Sequence, residues 1–254
     1  MNLSRDDEDT LQMEAGTAPD IAVTRWAGRS SIGRIRRRNE DAWGELDRRV
    51  FAVADGMGGA EGGARASTLA VAGFLTADPS QGWLSALRHL NASINGTCTT
   101  EGLPTAGSTL VGLVIDGPRC VTISIGDSRI YRLRNDRFDK LTTDHNVRTL
   151  RIEEGLAPNG TDDRGKPAAL TSYLGNPVHS QRIDVGTIGA ANGDRLLLCS
   201  DGVHGQIPDQ TLAALVAGPA PLDEVASTIL ATADNAGGRD NATVVLLDLE
   251  VLAS

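Results

Sequence analysis

The feature that most constrains the fold is a series of short apolar runs between residues 109 and 141. The runs are TLVGLVI, RCVTISI, RIYRLR and RFDKL, and each is separated from the next by two or three residues. Turn-forming residues occupy these links, namely Asp116-Gly117, Gly126-Asp127-Ser128 and Asn135-Asp136. Because links this short can join only antiparallel neighbours, the stretch predicts an antiparallel meander.

The rest of the chain adds further strands and two groups of helices. Apolar runs predict strands over residues 21–28, 50–54, 181–185, 194–199 and 242–250. Helical periodicity predicts helices over residues 61–76, 80–95, 144–154, 210–217 and 222–235, the second with Ser80 as N-cap and Gly96 past its end. Strands interrupted by helix pairs favour antiparallel sheets flanked by helices over a parallel sheet, which predicts the α+β class.

Length and charge limit the folded unit and its partners. The 254 residues include 24 basic and 33 acidic side chains, for a formal charge of −9, and 40% are hydrophobic. This composition can form one large core, which we assign to residues 21–254, after an acidic tail at residues 1–20 that we expect to be disordered. Because nucleic acids and anionic membranes attract a positive surface, we expect neither as a partner.

The amino terminus and the cysteines predict a cytoplasmic protein. The first residues are acidic and polar, whereas a signal peptide has a basic start followed by an apolar stretch. No apolar run approaches the ~20 residues that span a bilayer. The three cysteines form no CxxC pair, so we expect free thiols in a reducing compartment.

Carboxylates beside small residues recur at five places along the chain. They are Asn39-Glu40-Asp41, Asp55-Gly56, Gly126-Asp127-Ser128, Ser200-Asp201-Gly202 and Arg239-Asp240-Asn241. One such place alone is most simply a turn, but strand ends can converge on one site, where a neighbouring glycine lets an ion approach the backbone. Oxygen-rich ligand sets with few histidines suit Mg²⁺ or Mn²⁺, so the pattern predicts a pair of divalent ions.

Together these motifs resemble the metal-dependent PP2C-type Ser/Thr protein phosphatases in their bacterial form. In chain order they are GRIRRRNED, VADGMGG, GSTL, IGDSRIY, LTTDH, CSDG and GRDNATVV, and the resemblance covers the chain from about residue 21 to the end. It implies a four-layer α-β-β-α sandwich of two antiparallel sheets flanked by helix pairs. The metals of such a fold would lie in a cleft at one edge of the two sheets.

The resemblance also implies a ligand for each ion. Asp55 would bridge the two Mn²⁺ or Mg²⁺ ions, and Asp201 and Asp240 would complete the first. The carbonyl of Gly56 and, through water, Glu40 would serve the second. Two divalent ions ~4 Å apart can lower the pKa of a shared water toward neutrality, so that no covalent enzyme intermediate is needed.

Further assignments concern a possible third ion and the substrate. Asp127 with Asp201 corresponds to a third, weaker metal position in bacterial members, and Arg36 corresponds to the arginine that holds substrate phosphate. The resemblance thus assigns catalysis to Arg36, Asp55 and Asp201. We expect the other arginines of residues 34–38 to face solvent or, at most, to steer substrate.

Two places differ from the family pattern. Met57 stands where eukaryotic members have a histidine that is proposed as general acid, and methionine cannot donate a proton. His204 is a candidate for that role, although a single histidine near a site is more often a polar neighbour; His145 is predicted to be a positioning residue. We interpret the segment at about residues 144–180 as a flap, and its residues 155–172 match the family loosely.

These observations predict metal-dependent hydrolysis of phosphoserine and phosphothreonine in proteins. The expected partners are phosphorylated proteins, including a Ser/Thr kinase that the enzyme opposes or the substrates of that kinase, and we expect a monomer. Two alternatives stay open: a catalytically silent phosphoprotein-binding regulatory module, and a phosphatase that acts on an anti-sigma-factor antagonist. Four clustered acids argue against the silent module, because without metal they repel one another.

Overall fold

The computed structural model describes residues 19–156, 169–178 and 181–253, so most of the predicted tail and the middle of the predicted flap lie outside the described residues. The described strands are β1 (Ile21–Ser31), β2 (Asp41–Leu46), β3 (Val50–Met57), β4 (Gly107–Ser108), β5 (Leu110–Asp116), β6 (Arg119–Ile125), β7 (Arg129–Arg134), β8 (Arg137–Lys140), β9 (Asp184–Ile188), β10 (Arg195–Cys199) and β11 (Ala242–Val251). The described helices are α1 (Ala60–Leu75), α2 (Trp83–Thr100), α3 (Val147–Glu153), α4 (Asp201–His204), α5 (Asp209–Val216) and α6 (Leu222–Asn235).

The strands form two antiparallel sheets that pack face to face. One sheet has the order β1-β11-β10-β7-β8, and the other has the order β2-β3-β5-β6-β9 with the short β4 beside β3. Successive side chains of a strand point to opposite faces. On β3, Phe51 and Val53 therefore enter the core between the sheets, while Ala52 and Ala54 face the helices outside.

Helices cover the outer face of each sheet. Helices α1 and α2 pack on the sheet that contains β3, through buried residues that include Ala70, Phe74 and Leu87. Helices α4, α5 and α6 cover the other sheet with Val203, Leu212 and Ile229 among their buried residues. The prediction of an α+β protein with an α-β-β-α sandwich is confirmed.

Within the described residues, no helix is long and apolar enough to cross a membrane.

The meander predicted over residues 109–141 is wrong, because these strands form two hairpins in different sheets. Strands β5 and β6 belong to one sheet, and β7 and β8 belong to the other. Gly126, with a φ of 96°, begins the turn by which the chain passes between the sheets. Alternation along a strand reports which of its faces is buried, but it carries no information on which sheet the strand joins. Asp127 consequently lies at the crossing between the two sheets.

Several predicted boundaries also differ from the structure. Helix α2 begins after Gly82 rather than Ser80, and it continues through Gly96 to Thr100. Burial of Ile94 and Cys98 on this helix explains the continuation, because packing overrides the weak helix propensity of glycine. Two elements next to the cleft described below, β2 and α4, are absent from the sequence prediction.

The described ends of the predicted flap are anchored beside the sheets. Asn146 caps α3 by accepting a hydrogen bond of 3.0 Å from the Thr149 N–H, and it pairs with Leu170. Leu174 exchanges backbone hydrogen bonds of 2.7 and 2.9 Å with Ser108 of β4. These contacts bring the carboxyl-terminal part of the flap next to the end of β3.

The packing of Phe74 generates a prediction about stability. Phe74 is 1% exposed, its ring occupies the space that a side chain on Gly112 would need, and it lies 5.7 Å from the Trp83 ring. We expect Phe74→Ala to lower the free energy of unfolding by about 3–5 kcal/mol, because it leaves a cavity between α1 and β5. Urea unfolding followed by circular dichroism measures the loss.

Phe74→Leu is the matched control, since it retains most of the apolar volume. Its cost should be clearly smaller than that of Phe74→Ala. A loss below about 1 kcal/mol for the alanine variant would contradict the packing described above, because that is the average effect of any substitution.

Candidate active site

An open cleft of about 360 Å³ lies where the ends of β3, β6 and β10 meet the start of β11. The structure brings into its lining every residue that the sequence analysis assigned to metal or phosphate: Arg36, Glu40, Asp55, Gly56, Asp127, Asp201 and Asp240. These residues come from both sheets and from positions up to 204 residues apart. Met57, Thr109 and Leu170 also contribute to the lining.

The backbone of Asp55 is held by the residues of the GSTL motif. Its N–H donates to Thr109 Oγ1 at 2.9 Å, and its carbonyl accepts from the Thr109 N–H at 2.8 Å and from Ser108 Oγ at 3.1 Å. Thr109 Oγ1 also lies 2.7 Å from Ser128 Oγ, next to Asp127. One threonine thus connects the strand end that carries Asp55 with the loop that carries Asp127.

The glycine-rich turn allows the start of α1 to approach Glu40. A side chain on Gly56 would overlap the carbonyl of Gly63, and a side chain on Gly63 would overlap the carboxylate of Glu40. The Gly56 N–H donates to the Glu40 carbonyl at 3.2 Å. Glycine is required at both positions because backbone and carboxylate fill the space that a Cβ would occupy.

Asn241 fastens the segment that carries Arg36 and Glu40. Its Oδ1 accepts from the Glu40 N–H at 2.9 Å, and its Nδ2 donates to the carbonyls of Ile32 and Arg38, each at 2.9 Å. The side chain is buried, so these bonds satisfy its amide away from water. The Asp240-Asn241 pair therefore combines a residue that faces the cleft with one that positions the opposite segment.

Asp41 is a half-buried acid to which the sequence analysis gave no role. Its Oδ2 accepts hydrogen bonds of 2.7 Å from Ser200 Oγ and Thr243 Oγ1, and its Oδ1 is buried with no hydrogen-bond partner among the described residues. Burial raises the pKa of Asp41 to about 7, and the charge of Asp201 adds to the effect. Its position directly after Glu40 is the sequence signal that could have found it, and the structure pairs it with Asp55 across β2 and β3.

Like charge and burial raise the pKa values of the other acids in the cleft. Burial, Asp201 and Asp144 raise the pKa of Asp127 to about 7. Burial and the neighbouring carboxylates raise the pKa of Asp55 well above its usual range, and burial with Asp240 raises that of Asp201. Both causes disfavour the ionised carboxylates, so positive charge placed in the cluster would stabilise them.

This donor set fits hard divalent cations. The cleft offers carboxylate and carbonyl oxygens, and Asp201 Oδ1 is buried without a hydrogen-bond partner in the described part of the chain. Arg36 supplies positive charge, with Nη2 at 2.6 Å from Asp240 Oδ2 and Nη1 at 3.8 Å from Glu40 Oε1. Across the residues that the structure describes, no three acidic, histidine or cysteine side chains are already arranged to hold an ion.

Two histidines, the buried His145 and the half-buried His204, position the loop of residues 126 and 127. His204 Nε2 lies 2.9 Å from the Asp127 carbonyl oxygen, to which it donates, and burial lowers the pKa of His204 to about 3. His145 accepts from the Gly126 N–H through Nδ1 and donates from Nε2 to Asp184 Oδ2 at 3.1 Å. A neutral histidine whose proton is held by a backbone carbonyl is a poor proton donor, which argues against His204 as general acid.

The cysteines are unsuited to nucleophilic catalysis. Cys98, Cys120 and Cys199 are all buried and unpaired, as predicted. Burial raises the pKa of Cys120 to about 12 and also raises that of Cys199. Because the thiolate is the reactive form, neither residue can attack phosphorus near neutral pH.

Comparisons of sequence with known proteins agree with this site. The chain matches the sequence model of the family described as protein phosphatase 2C over residues 28–243. It is 31% identical over 242 residues to the serine/threonine phosphatase stp of Listeria innocua. The matched residues cover 88% of this chain and 95% of that protein. It is 32% identical over 240 residues to the serine/threonine protein phosphatase PstP of Mycobacterium tuberculosis. The matched residues cover 89% of this chain but only 45% of PstP.

Solved structures share the fold. The crystal structure of M. tuberculosis PstP matches with a TM-score of 0.78 at 31% identity, over 91% of this chain and 99% of that one. The catalytic domain of PstP in complex with two manganese ions matches with a TM-score of 0.77 at 31% identity and the same coverage. Because the motifs, the four-layer fold and the matched length all agree, this chain belongs to the protein phosphatase 2C family.

Proposed function

We propose that this protein hydrolyses phosphoserine and phosphothreonine in proteins, with Mn²⁺ or Mg²⁺ ions bound in the cleft. The observation that carries the proposal is the gathering of half-buried acids with raised pKa values, Asp55, Asp127 and Asp201, around a cleft that also contains Arg36. The relatives named above are serine/threonine phosphatases, and one PstP structure contains two manganese ions. In this proposal residues 21–254 act as one phosphatase domain.

The family resemblance implies which residues would hold the ions, and all of these residues line the cleft. Asp55 would be shared by two ions, Asp201 and Asp240 would complete the first, and the Gly56 carbonyl with Glu40 would serve the second. When bound, the ions supply Lewis-acid chemistry: they lower the pKa of water, so that it can lose a proton near neutral pH and attack phosphorus, and they offset the charge of the phosphoryl oxygens.

The protein's own residues bind and orient the substrate. Arg36 would exchange its carboxylate partner Asp240 for the phosphoryl oxygens, which a guanidinium binds through two parallel hydrogen bonds. Asp127, held in place by His204, would complete a third ion site together with Asp201. Neither Met57 nor the half-buried His204 supplies the proton for the leaving hydroxyl, so the proposal assigns that proton to no side chain.

The alternatives differ in how they use the acids. A catalytically silent phosphoprotein-binding module would gain nothing from half-buried carboxylates, because they repel the phosphate that it has to bind. An anti-sigma-factor antagonist as substrate is compatible with the same chemistry, as is any protein phosphorylated by a Ser/Thr kinase that this enzyme opposes. The proposal includes action as a monomer in the cytoplasm.

The metal assignment predicts the effect of one carboxylate. We expect Asp201→Asn to abolish Mn²⁺-dependent release of phosphate from a phosphothreonine peptide and to leave the circular dichroism spectrum intact, because the substitution removes charge from a repelling cluster. Asp136→Asn, in the exposed turn between β7 and β8, is the control and should retain activity. Undiminished turnover by Asp201→Asn would refute the metal assignment. A wild-type protein that releases no phosphate in the presence of Mn²⁺ would instead favour the phosphoprotein-binding module.

The role of Arg36 predicts a loss of phosphate recognition. We expect Arg36→Ala to lower kcat/KM for p-nitrophenyl phosphate about 100-fold, since one charged donor to the transition state contributes a factor of this size. Arg38→Ala is the control, because the Arg38 side chain is exposed and pairs with Glu61 at 3.3 Å. Equal losses in the two variants would show that Arg36 has no special role.

The raised pKa values predict how pH affects the metal-free protein. Asp41 and Asp127 have pKa values of about 7 when folded, far above the ~3.9 of an unfolded aspartate. The folded state therefore holds extra protons between pH ~4 and ~7, and the stability present at low pH is lost as pH rises through the folded pKa.

In excess EDTA, Tm should fall between pH 5 and pH 8, and saturating Mn²⁺ should flatten this slope by supplying positive charge to the acids. Thermal unfolding at a series of pH values tests the prediction. Identical slopes with EDTA and with Mn²⁺ would contradict it, and Asp41→Asn should reduce the slope in EDTA.

A further inference from the structure

We propose that a group of exposed arginines beside the cleft binds acidic residues that flank the phosphorylated residue of the substrate. We call this group the arginine rim, and it consists of the exposed residues Arg34, Arg37 and Arg239 together with the exposed Ile35. The inference rests on the proposed phosphatase function and adds a substrate class to it.

Backbone contacts place Arg34 and Arg239 on one surface. The N–H groups of Arg34 and Ile35 both donate to the carbonyl of Gly238, at 2.8 and 3.2 Å. The Arg34 side chain runs along Gly238, where a Cβ would lie 2.9 Å from Arg34 Cγ, and its Nη2 donates to Asn235 Oδ1 at 2.7 Å. The segment before β2 and the segment before β11 thus present their arginines together.

The rim differs from its neighbours in lacking acidic partners. Arg36 pairs with Asp240 and Arg38 pairs with Glu61, whereas in the described residues neither Arg34, Arg37 nor Arg239 forms an ion pair with a carboxylate. The carboxylate of Asp234, one residue before the asparagine that Arg34 contacts, accepts hydrogen bonds from Ser31 Oγ. In a chain with a net charge of −9, these three exposed arginines form a local cluster of positive side chains.

The rim lies within reach of a peptide bound in the cleft. Arg36 and Asp240 line the cleft, and their chain neighbours Ile35, Arg37 and Arg239 belong to the rim. Adjacent Cα atoms are about 3.8 Å apart, and an extended peptide advances about 3.3 Å per residue. A substrate whose phosphate meets Arg36 therefore reaches the rim within about three residues. Ile35 is 67% exposed and offers an apolar contact between the charges.

A pair of peptides tests the inference. Both peptides contain one phosphothreonine. In the first peptide, glutamates occupy the three positions on each side of the phosphothreonine, and in the second peptide glutamines occupy the same positions. With Mn²⁺ at low salt, the wild-type kcat/KM should be about tenfold higher for the acidic peptide, and the preference should shrink as salt is added. In the double variant Arg34→Glu/Arg239→Glu, the ratio of the two kcat/KM values should fall to about one or below. Arg34→Gln/Arg239→Gln should give an intermediate ratio.

The matched control is Arg48→Glu/Arg88→Glu, which changes the net charge equally at two exposed arginines away from the cleft. This control should keep the wild-type ratio. Equal kcat/KM for the two peptides in the wild type, or an unchanged ratio in the rim variant, would overturn the inference while phosphate release still supports the phosphatase function. Failure of the wild type to hydrolyse either peptide would instead overturn the proposed function.

Discussion

The crowding of half-buried carboxylates in one cleft is the constraint on which the rest of this structure depends. Burial and, second to it, mutual charge raise the pKa values of Asp41, Asp55, Asp127 and Asp201, so the cleft disfavours their ionised forms. The acids stay in place because neutral groups hold their backbones or oxygens, and such groups add no charge to the cluster. Thr109 is one example, since it accepts from and donates to the backbone of Asp55.

The two-sheet sandwich is what allows the acids to meet. Asp55 ends a strand of one sheet, Asp201 follows a strand of the other, and Asp127 lies where the chain crosses between them. The apolar core between the sheets fixes the distance between these strand ends, because packed interiors deform little. Buried polar side chains such as Asn241 then attach the loops to this frame.

Charge is distributed in two zones around the cleft. Carboxylates occupy its interior, where they favour divalent cations, whereas unpaired arginines lie at the rim, where they favour anionic peptides. Arg36 stands between the zones and pairs with Asp240 in the structure. An overall charge of −9 therefore says little about the substrate, since acidic and basic side chains near the site are segregated rather than mixed.

The sequence by itself determined the α+β class, the family and the acids of the cleft, because strand-end aspartates beside glycines carry their chemistry in local patterns. Only the tertiary structure decided that the predicted meander is two hairpins, that Asp41 is half-buried beside the site and that His204 holds the Asp127 carbonyl. Sheet membership, burial and pKa depend on residues far away in the chain, such as Ser200 and Thr243 around Asp41. A local pattern cannot encode contacts that form only when distant segments pack together.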